Sequence, residues 1–110
     1  MSNMFSFAAN FNVGNSPVGV AVGDFNNDGQ LDIANTNYNS NTVSILLGNG
    51  SSMFQSIAFY TVGNGAGYIA IGDFNGDGKA DIAATNRLLN NVAVLLGNGD
   101  GTLRPLLRIA

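Results

Sequence analysis

Valines at 18, 20 and 22 alternate with the small residues Gly19, Ala21 and Gly23, and Ile69 and Ile71 alternate in the same way with Tyr68, Ala70 and Gly72. Alternation with period two is the signature of a β-strand, and small residues on one face point to a crowded neighbour rather than to solvent. A second strand comes next over Leu31 to Thr36, matched by Ala80 to Thr85. The third, Val43 to Leu47 and Val92 to Leu96, is apolar on both faces and is expected to be covered on both sides. Gly48-Asn49-Gly50 and Gly97-Asn98-Gly99 then read as hairpin-type turns leading to a fourth, outer strand, Phe54 to Val62 in the first copy.

One offset, 49 residues, relates all of these pairs. Val13-Gly14-Asn15 returns as Val62-Gly63-Asn64, Asp32-Ile33-Ala34 as Asp81-Ile82-Ala83, and Leu46 to Gly50 as Leu95 to Gly99. Residues 13–61 and 62–110 are therefore two copies of one four-stranded antiparallel meander. Four strands per 40–50 residues, repeated, is the pattern of a β-propeller blade. The fold class is all-β, with two blades per chain. Two blades leave one face bare at each end, so the ring is expected to be completed by oligomerisation. Four to eight blades make a ring, which allows a dimer, a trimer or a tetramer, and a six-bladed homotrimer is favoured.

Residues 1–12 carry a further feature. Met4, Phe5, Ala9 and Val13 recur at Met53, Phe54, Ala58 and Val62, so the chain begins with what reads as an additional outer strand that closes a blade. Leu103 to Ala110 competes for the outer position of the second unit. Pro105 removes a ladder donor there, and Arg104 and Arg108 suit an exposed edge, so the N-terminal strand is expected to prevail.

Charge is scarce and oddly placed. Only 10% of residues are charged, against roughly 25% in an average domain. Six of the seven acidic residues, all aspartates, fall in Asp24-Phe-Asn-Asn-Asp-Gly-Gln-Leu-Asp32 and Asp73-Phe-Asn-Gly-Asp-Gly-Lys-Ala-Asp81. Three carboxylates in one short loop repel one another unless a cation compensates them. Asp24, Asn26 and Asp28 alternate so that their oxygens aim at one centre, Gly29 takes the turn, Gln30 offers a backbone carbonyl, and Asp32 closes the loop. Asp73, Asn75, Asp77, the carbonyl of Lys79, and Asp81 repeat the arrangement. An all-oxygen ligand set suits Ca2+, two per chain, better than Mg2+, which keeps several waters. An EF-hand shares the opening but needs glutamate at its twelfth position, where this chain has Asn35 and Ala84.

Gly23 to Ala34, with Leu46 to Gly50 downstream, resembles the FG-GAP (VCBS-type) repeat. Related repeats build the calcium-bearing β-propellers of integrin α subunits and of a fungal N-acetylglucosamine-binding lectin. The resemblance implies that the aspartate-rich loop joins the first two strands of each blade and holds calcium.

Two Ca2+ would take the formal charge from −3 to +1. An affinity of about 10⁻⁴–10⁻³ M, usual for extracellular modules, favours an extracellular or periplasmic site of action. The first residues carry no secretory signal pattern, and no apolar stretch is long enough to span a bilayer. Without histidine or cysteine, the usual general base and thiol nucleophile are missing, so an enzyme is not expected. Three arginines and one lysine make no nucleic-acid stripe. The expected function is a calcium-binding scaffold for assembly or adhesion to a protein ligand. The alternative is a multivalent glycan-binding lectin using Tyr38, Tyr60 and Tyr68, although Tyr38 and Tyr68 become Arg87 and Gly19 in the other copy.

Overall fold

The computed structural model describes residues 10–49, 54–104 and 107–109. Eight strands run in chain order: β1 (Pro17–Gly23), β2 (Asp32–Asn37), β3 (Thr42–Gly48), β4 (Phe54–Thr61), β5 (Ala66–Gly72), β6 (Asp81–Asn86), β7 (Asn91–Leu95) and β8 (Leu107–Ile109). They form two four-stranded antiparallel sheets, β1-β2-β3-β4 and β5-β6-β7-β8, each a simple meander. The all-β class and the blade-like units expected from the alternation are what the chain adopts. No helix among the described residues is long and apolar enough to cross a membrane.

The 49-residue repeat extends to backbone detail. Both first strands carry a register shift at the same place, between Pro17 and Val20 and between Ala66 and Ile69. A bulge leaves an amide outside the ladder. A threonine on the neighbouring strand supplies an acceptor: Gly19 N donates to Thr36 Oγ1 and Tyr68 N to Thr85 Oγ1, both at 2.9 Å. A buried asparagine ties the entry to each sheet in the same fashion. Asn37 Oδ1 accepts from Gly14 N at 3.1 Å, and Asn86 Oδ1 accepts from Gly63 N at 2.9 Å. Left-handed backbone also recurs at equivalent sites, Asn41 (φ 59°) and Asn90 (φ 56°), at the β2–β3 and β6–β7 turns.

One hydrophobic core runs through both sheets. Phe25, Val43 and Ile45 of the first unit meet Val62, Ala66, Ile82 and Leu95 of the second, with Ile69 and Ile71 packed against them. The crowded neighbour implied by the small residues of β1 is β5. A Cβ on Gly19 would lie 2.7 Å from the Gly67 carbonyl oxygen, and one on Gly23 would lie 3.1 Å from Ile71 Cγ2. Thr36 Oγ1 donates to the Gly67 carbonyl, and Leu103 N donates to the Tyr60 hydroxyl at 3.2 Å, so polar bonds cross the same joint.

The third strands differ. β3 buries Val43, Ser44, Ile45 and Leu46, so it is covered on both faces as its sequence implies. β7 buries Ala93 and Leu95 but leaves Val92 exposed, because only one of its faces meets the other sheet.

The outer positions also differ from expectation. The C-terminal segment is not displaced: β8 pairs with β7 through Val92↔Ile109, Ala93↔Arg108 and Val94↔Leu107. Arg104 N also donates to Leu96 O at 2.7 Å, and Gly97 bridges Leu103. Pro105 itself lies outside the described residues. The expected N-terminal closing strand lies, through residue 9, outside the described residues. Residues 10–16 form no strand, although the Phe11 ring meets Phe54 of β4 edge-on at 5.1 Å.

Candidate metal centre

Each aspartate-rich loop links the first strand of a sheet to the second, where the DxNxDG order forces a tight curl. The turns inside it need left-handed backbone at two positions. Asn27 and Gly29 (φ 58° and 81°) supply it in the first loop, Gly76 and Gly78 (φ 76° and 80°) in the second. Glycine takes that conformation without strain, and asparagine is among the few other residues that tolerate it.

The curl gathers amides onto the first aspartate. Asp24 Oδ2 accepts from Gly29 N at 2.9 Å and Oδ1 from Asp28 N at 3.3 Å. Asp73 Oδ1 accepts from Gly76 N at 2.8 Å and Asp77 N at 3.1 Å, and its Oδ2 accepts from Gly78 N at 2.7 Å. Partial desolvation pushes Asp24 up, but the amides of Gly29, Asp28, Asn26 and Asn27 outweigh it and hold the carboxyl below its ordinary range. The Gly78 amide, followed by those of Asp77 and Gly76, does the same for Asp73 against a smaller desolvation effect.

The middle aspartates turn back on the loop. Asp28 Oδ1 accepts from Gln30 N at 2.9 Å, and Asp77 Oδ1 accepts from Lys79 N at 3.0 Å. Gln30 and Lys79 thus enter the loop's hydrogen bonding through their amides.

Asp32 and Asp81 have a role that the spacing alone did not reveal. Both are fully buried. Asp32 Oδ2 accepts from Phe25 N at 2.8 Å while its Oδ1 accepts from Gly48 N at 2.9 Å. Asp81 binds Phe74 N at 2.9 Å and Gly97 N at 2.8 Å in the same way. Each carboxylate therefore pins the start of its own loop to the end of the third strand. The recurrence of Gly48 and Gly97, 16 residues after these aspartates, is the sequence signal for this contact.

In the second loop the acidic groups converge. One carboxylate oxygen each from Asp73, Asp77 and Asp81 lies within 4.8 Å of the others, and these three are the one such acidic group among the described residues. Asp24, Asp28 and Asp32 do not gather to that degree.

Two further observations bear on whether a cation fits. The Asn75 amide nitrogen donates to Asp73 Oδ1 at 3.1 Å and to Asp77 Oδ1 at 3.0 Å, a neutralising role that a cation would take over with the amide rotated. In the first loop, Asn26 Oδ1 is buried and finds no hydrogen-bond partner. Buried acceptors ordinarily have one, so this oxygen lacks an electropositive neighbour. All donors in both loops are oxygen, which matches a hard divalent cation such as Ca2+.

The tyrosines considered as sugar platforms are not equivalent. Tyr60 spends its hydroxyl on Leu103 N, and the Arg87 guanidinium sits 6.0 Å from the Tyr38 ring centre. Tyr68 stands 75% exposed.

Among known proteins, the FG-GAP-like repeat profile matches residues 24–84 and again residues 73–109. No curated protein and no solved structure matches the chain.

Proposed function

The chain belongs to the FG-GAP-like repeat family, and from that premise we propose that it is a calcium-stabilised pair of propeller blades whose copies assemble into a closed ring serving as an adhesion-type scaffold. Repeats of this family are consistent with a β-propeller-type interaction scaffold and often bind Ca2+. The ring is the six-bladed trimer, and the setting is extracellular or periplasmic, where calcium is abundant enough to fill weak sites.

The observation that carries this reading is the unequal burial of one repeat position. Phe25 and Phe74 are equivalent, 49 residues apart, yet Phe25 is 2% exposed and Phe74 is 51% exposed. Phe25 is covered by the second unit, whose Gly101 N donates to Phe25 O at 2.9 Å. Phe74 lacks the next unit. On the opposite face of the pair, Val18, Val20, Val22 and Leu31 are 54–68% exposed, whereas their equivalents Gly67, Ile69, Ile71 and Ala80 are covered at the joint. Faces that mate inside the chain are thus bare outside it, one of each kind, which is the condition for head-to-tail closure.

Ca2+ would be held by Asp73, Asn75, Asp77 and Asp81, with the Lys79 carbonyl, and in the first loop by Asp24, Asn26, Asp28 and Asp32, with the Gln30 carbonyl. The ion supplies the positive charge that lets three carboxylates share one loop. The protein's own amides at Gly29 and Gly78 preorganise the first ligands.

Light scattering coupled to gel filtration tests the proposal. In millimolar Ca2+ the chain elutes as a discrete oligomer, and chelation shifts it towards smaller species. A mass of one chain at every concentration, with calcium present, overturns the ring. A thermal midpoint indifferent to Ca2+ overturns the metal sites.

A further inference from the structure

The internal joint and the two open faces share the same repeat, but at four positions their residues differ. Inside the chain, Gly19 of β1 lies against β5, where a Cβ would meet Gly67 O at 2.7 Å and Ile69 Cγ2 at 3.4 Å. Ile69 pairs in register with Ala84, which is 1% exposed. This joint is glycine against backbone, with alanine beside it.

At the open faces, Tyr68 holds the place of Gly19, and Val18, Val20 and Asn35 hold the places of Gly67, Ile69 and Ala84. Small has become large on one face. On the other, an apolar floor has acquired an amide.

That second face is also hollow. A groove of about 400 Å³ is lined by Phe11, Val18, Val20, Ile33, Asn35 and Leu46. Asn35 is 5% exposed, and its Nδ2 donates to Thr36 O at 3.1 Å and Asn37 Oδ1 at 2.8 Å. Its Oδ1 has no partner. A buried acceptor without a donor is costly, so Asn35, on a wall whose other polar side chain is Asn10, is short of one hydrogen-bond donor.

We propose that Tyr68 of one copy inserts into this groove on the first sheet of the next copy, its ring against Val18 and Val20 and its hydroxyl donating to Asn35 Oδ1. The proposal rests on the ring reading and names the contact that sets its inter-chain joint. Tyr68 is the tyrosine whose ring and hydroxyl are not engaged elsewhere among the described residues, and it stands on the face that Gly19 occupies at the internal joint. A Cβ cannot approach the backbone as closely as Gly19 does, so the joint between chains is wider than the one within. The groove provides that width. Thr85 Oγ1 accepts from Tyr68 N as Thr36 accepts from Gly19 N. Because Gly19 meets Gly67 and Ile69 inside the chain while Tyr68 meets Val18, Val20 and Asn35 between chains, internal and external joints are not interchangeable, and the copies meet in one register.

Sedimentation equilibrium of the full chain in Ca2+ tests this with Tyr68→Phe, Tyr68→Ala, Asn35→Ala and the Tyr68→Phe/Asn35→Ala pair. Loss of the hydroxyl or of the amide weakens association about tenfold. The double variant is no weaker than either single one, because both remove the same bond. Tyr68→Ala weakens association further through lost ring packing. Since Tyr68 is exposed in the single chain, the thermal midpoint at low protein concentration stays that of the parent. Unchanged association of Tyr68→Ala, with the parent oligomeric, overturns the inserted tyrosine and leaves the ring standing. A parent that is monomeric throughout overturns both. Tyr68→Ala that associates normally but loses binding on a glycan array reassigns the residue to a sugar site and likewise overturns the proposal.

Discussion

Asp81 accepts the Gly97 amide at 2.8 Å across the end of the second sheet, and the same carboxylate accepts Phe74 N at the start of the loop. With Asp32 repeating the contact on Gly48 and Phe25, the buried aspartate of each unit is a structural latch as well as a proposed ligand.

Asp81→Ala therefore strands two amides. Denaturant unfolding in chelator is expected to show a loss of about 3 kcal/mol, while Asp28→Ala, on the exposed part of its loop, stays within about 0.5 kcal/mol of the parent. A loss at Asp81 seen only when Ca2+ is present would contradict the latch.

The partner glycine is equally constrained. A Cβ on Gly97 would fall 1.9 Å from Ala80 O, which is backbone and cannot swing aside. Gly97→Ala should cost about 3 kcal/mol or fail to fold. Gly78 has open space around it but φ of 80°, so Gly78→Ala should cost only about 1 kcal/mol. Urea midpoints for the two variants give the comparison directly.

How much of this was readable from the chain differs by level. Strand alternation and the 49-residue offset placed both sheets and, β8 aside, put the strand boundaries within about two residues, because period two and repetition are local properties. The aspartate-rich loops were legible as well, since Asp, Asn and Gly recur at fixed spacing. The latch was not, because Asp32–Gly48 is a contact between distant residues, and only folding shows which end of a carboxylate is already taken. The pairing of β8 also escaped, since Pro105, with no amide to donate, argued against an outer strand there. Burial asymmetry between equivalent residues is likewise invisible in a repeat that looks the same in both copies.

Phe25 and Phe74 make that asymmetry measurable. Phe25→Ala should lower the stability of the single chain by about 3 kcal/mol or more. Phe74→Ala should change it by less than about 1 kcal/mol while weakening association, since its ring is half exposed. Melting at low protein concentration, paired with light scattering at high concentration, separates the two effects.

Calcium should act unevenly on the two loops. Asp73, Asp77 and Asp81 already converge, so the second site needs less rearrangement and binds more tightly. Saturating a site at about 100 times its dissociation constant adds about 2.7 kcal/mol. Asp77→Asn should remove more of the calcium-induced rise in melting temperature than Asp28→Asn, and equal losses would contradict the preformed second site.

Acid should destabilise the calcium-free chain through its aspartate loops. Asp24 and Asp73 are held below the ordinary value of 3.8 by amide donors. The unfolded chain therefore binds protons first as pH falls. Their contribution is fully present above the unfolded value and disappears as pH drops through the lower folded one. Asp73→Asn should flatten the pH dependence of stability below about pH 4 in chelator, as read by circular dichroism.

The carboxylate at the end of each loop, clasped by two amides of its own unit, keeps the sheet joined whether or not an ion is present. A unit could accordingly shed its outer aspartates over generations and still pack between its neighbours. Mineral content and architecture can then vary independently from one repeat to the next, with the buried aspartate as the last acidic residue to go.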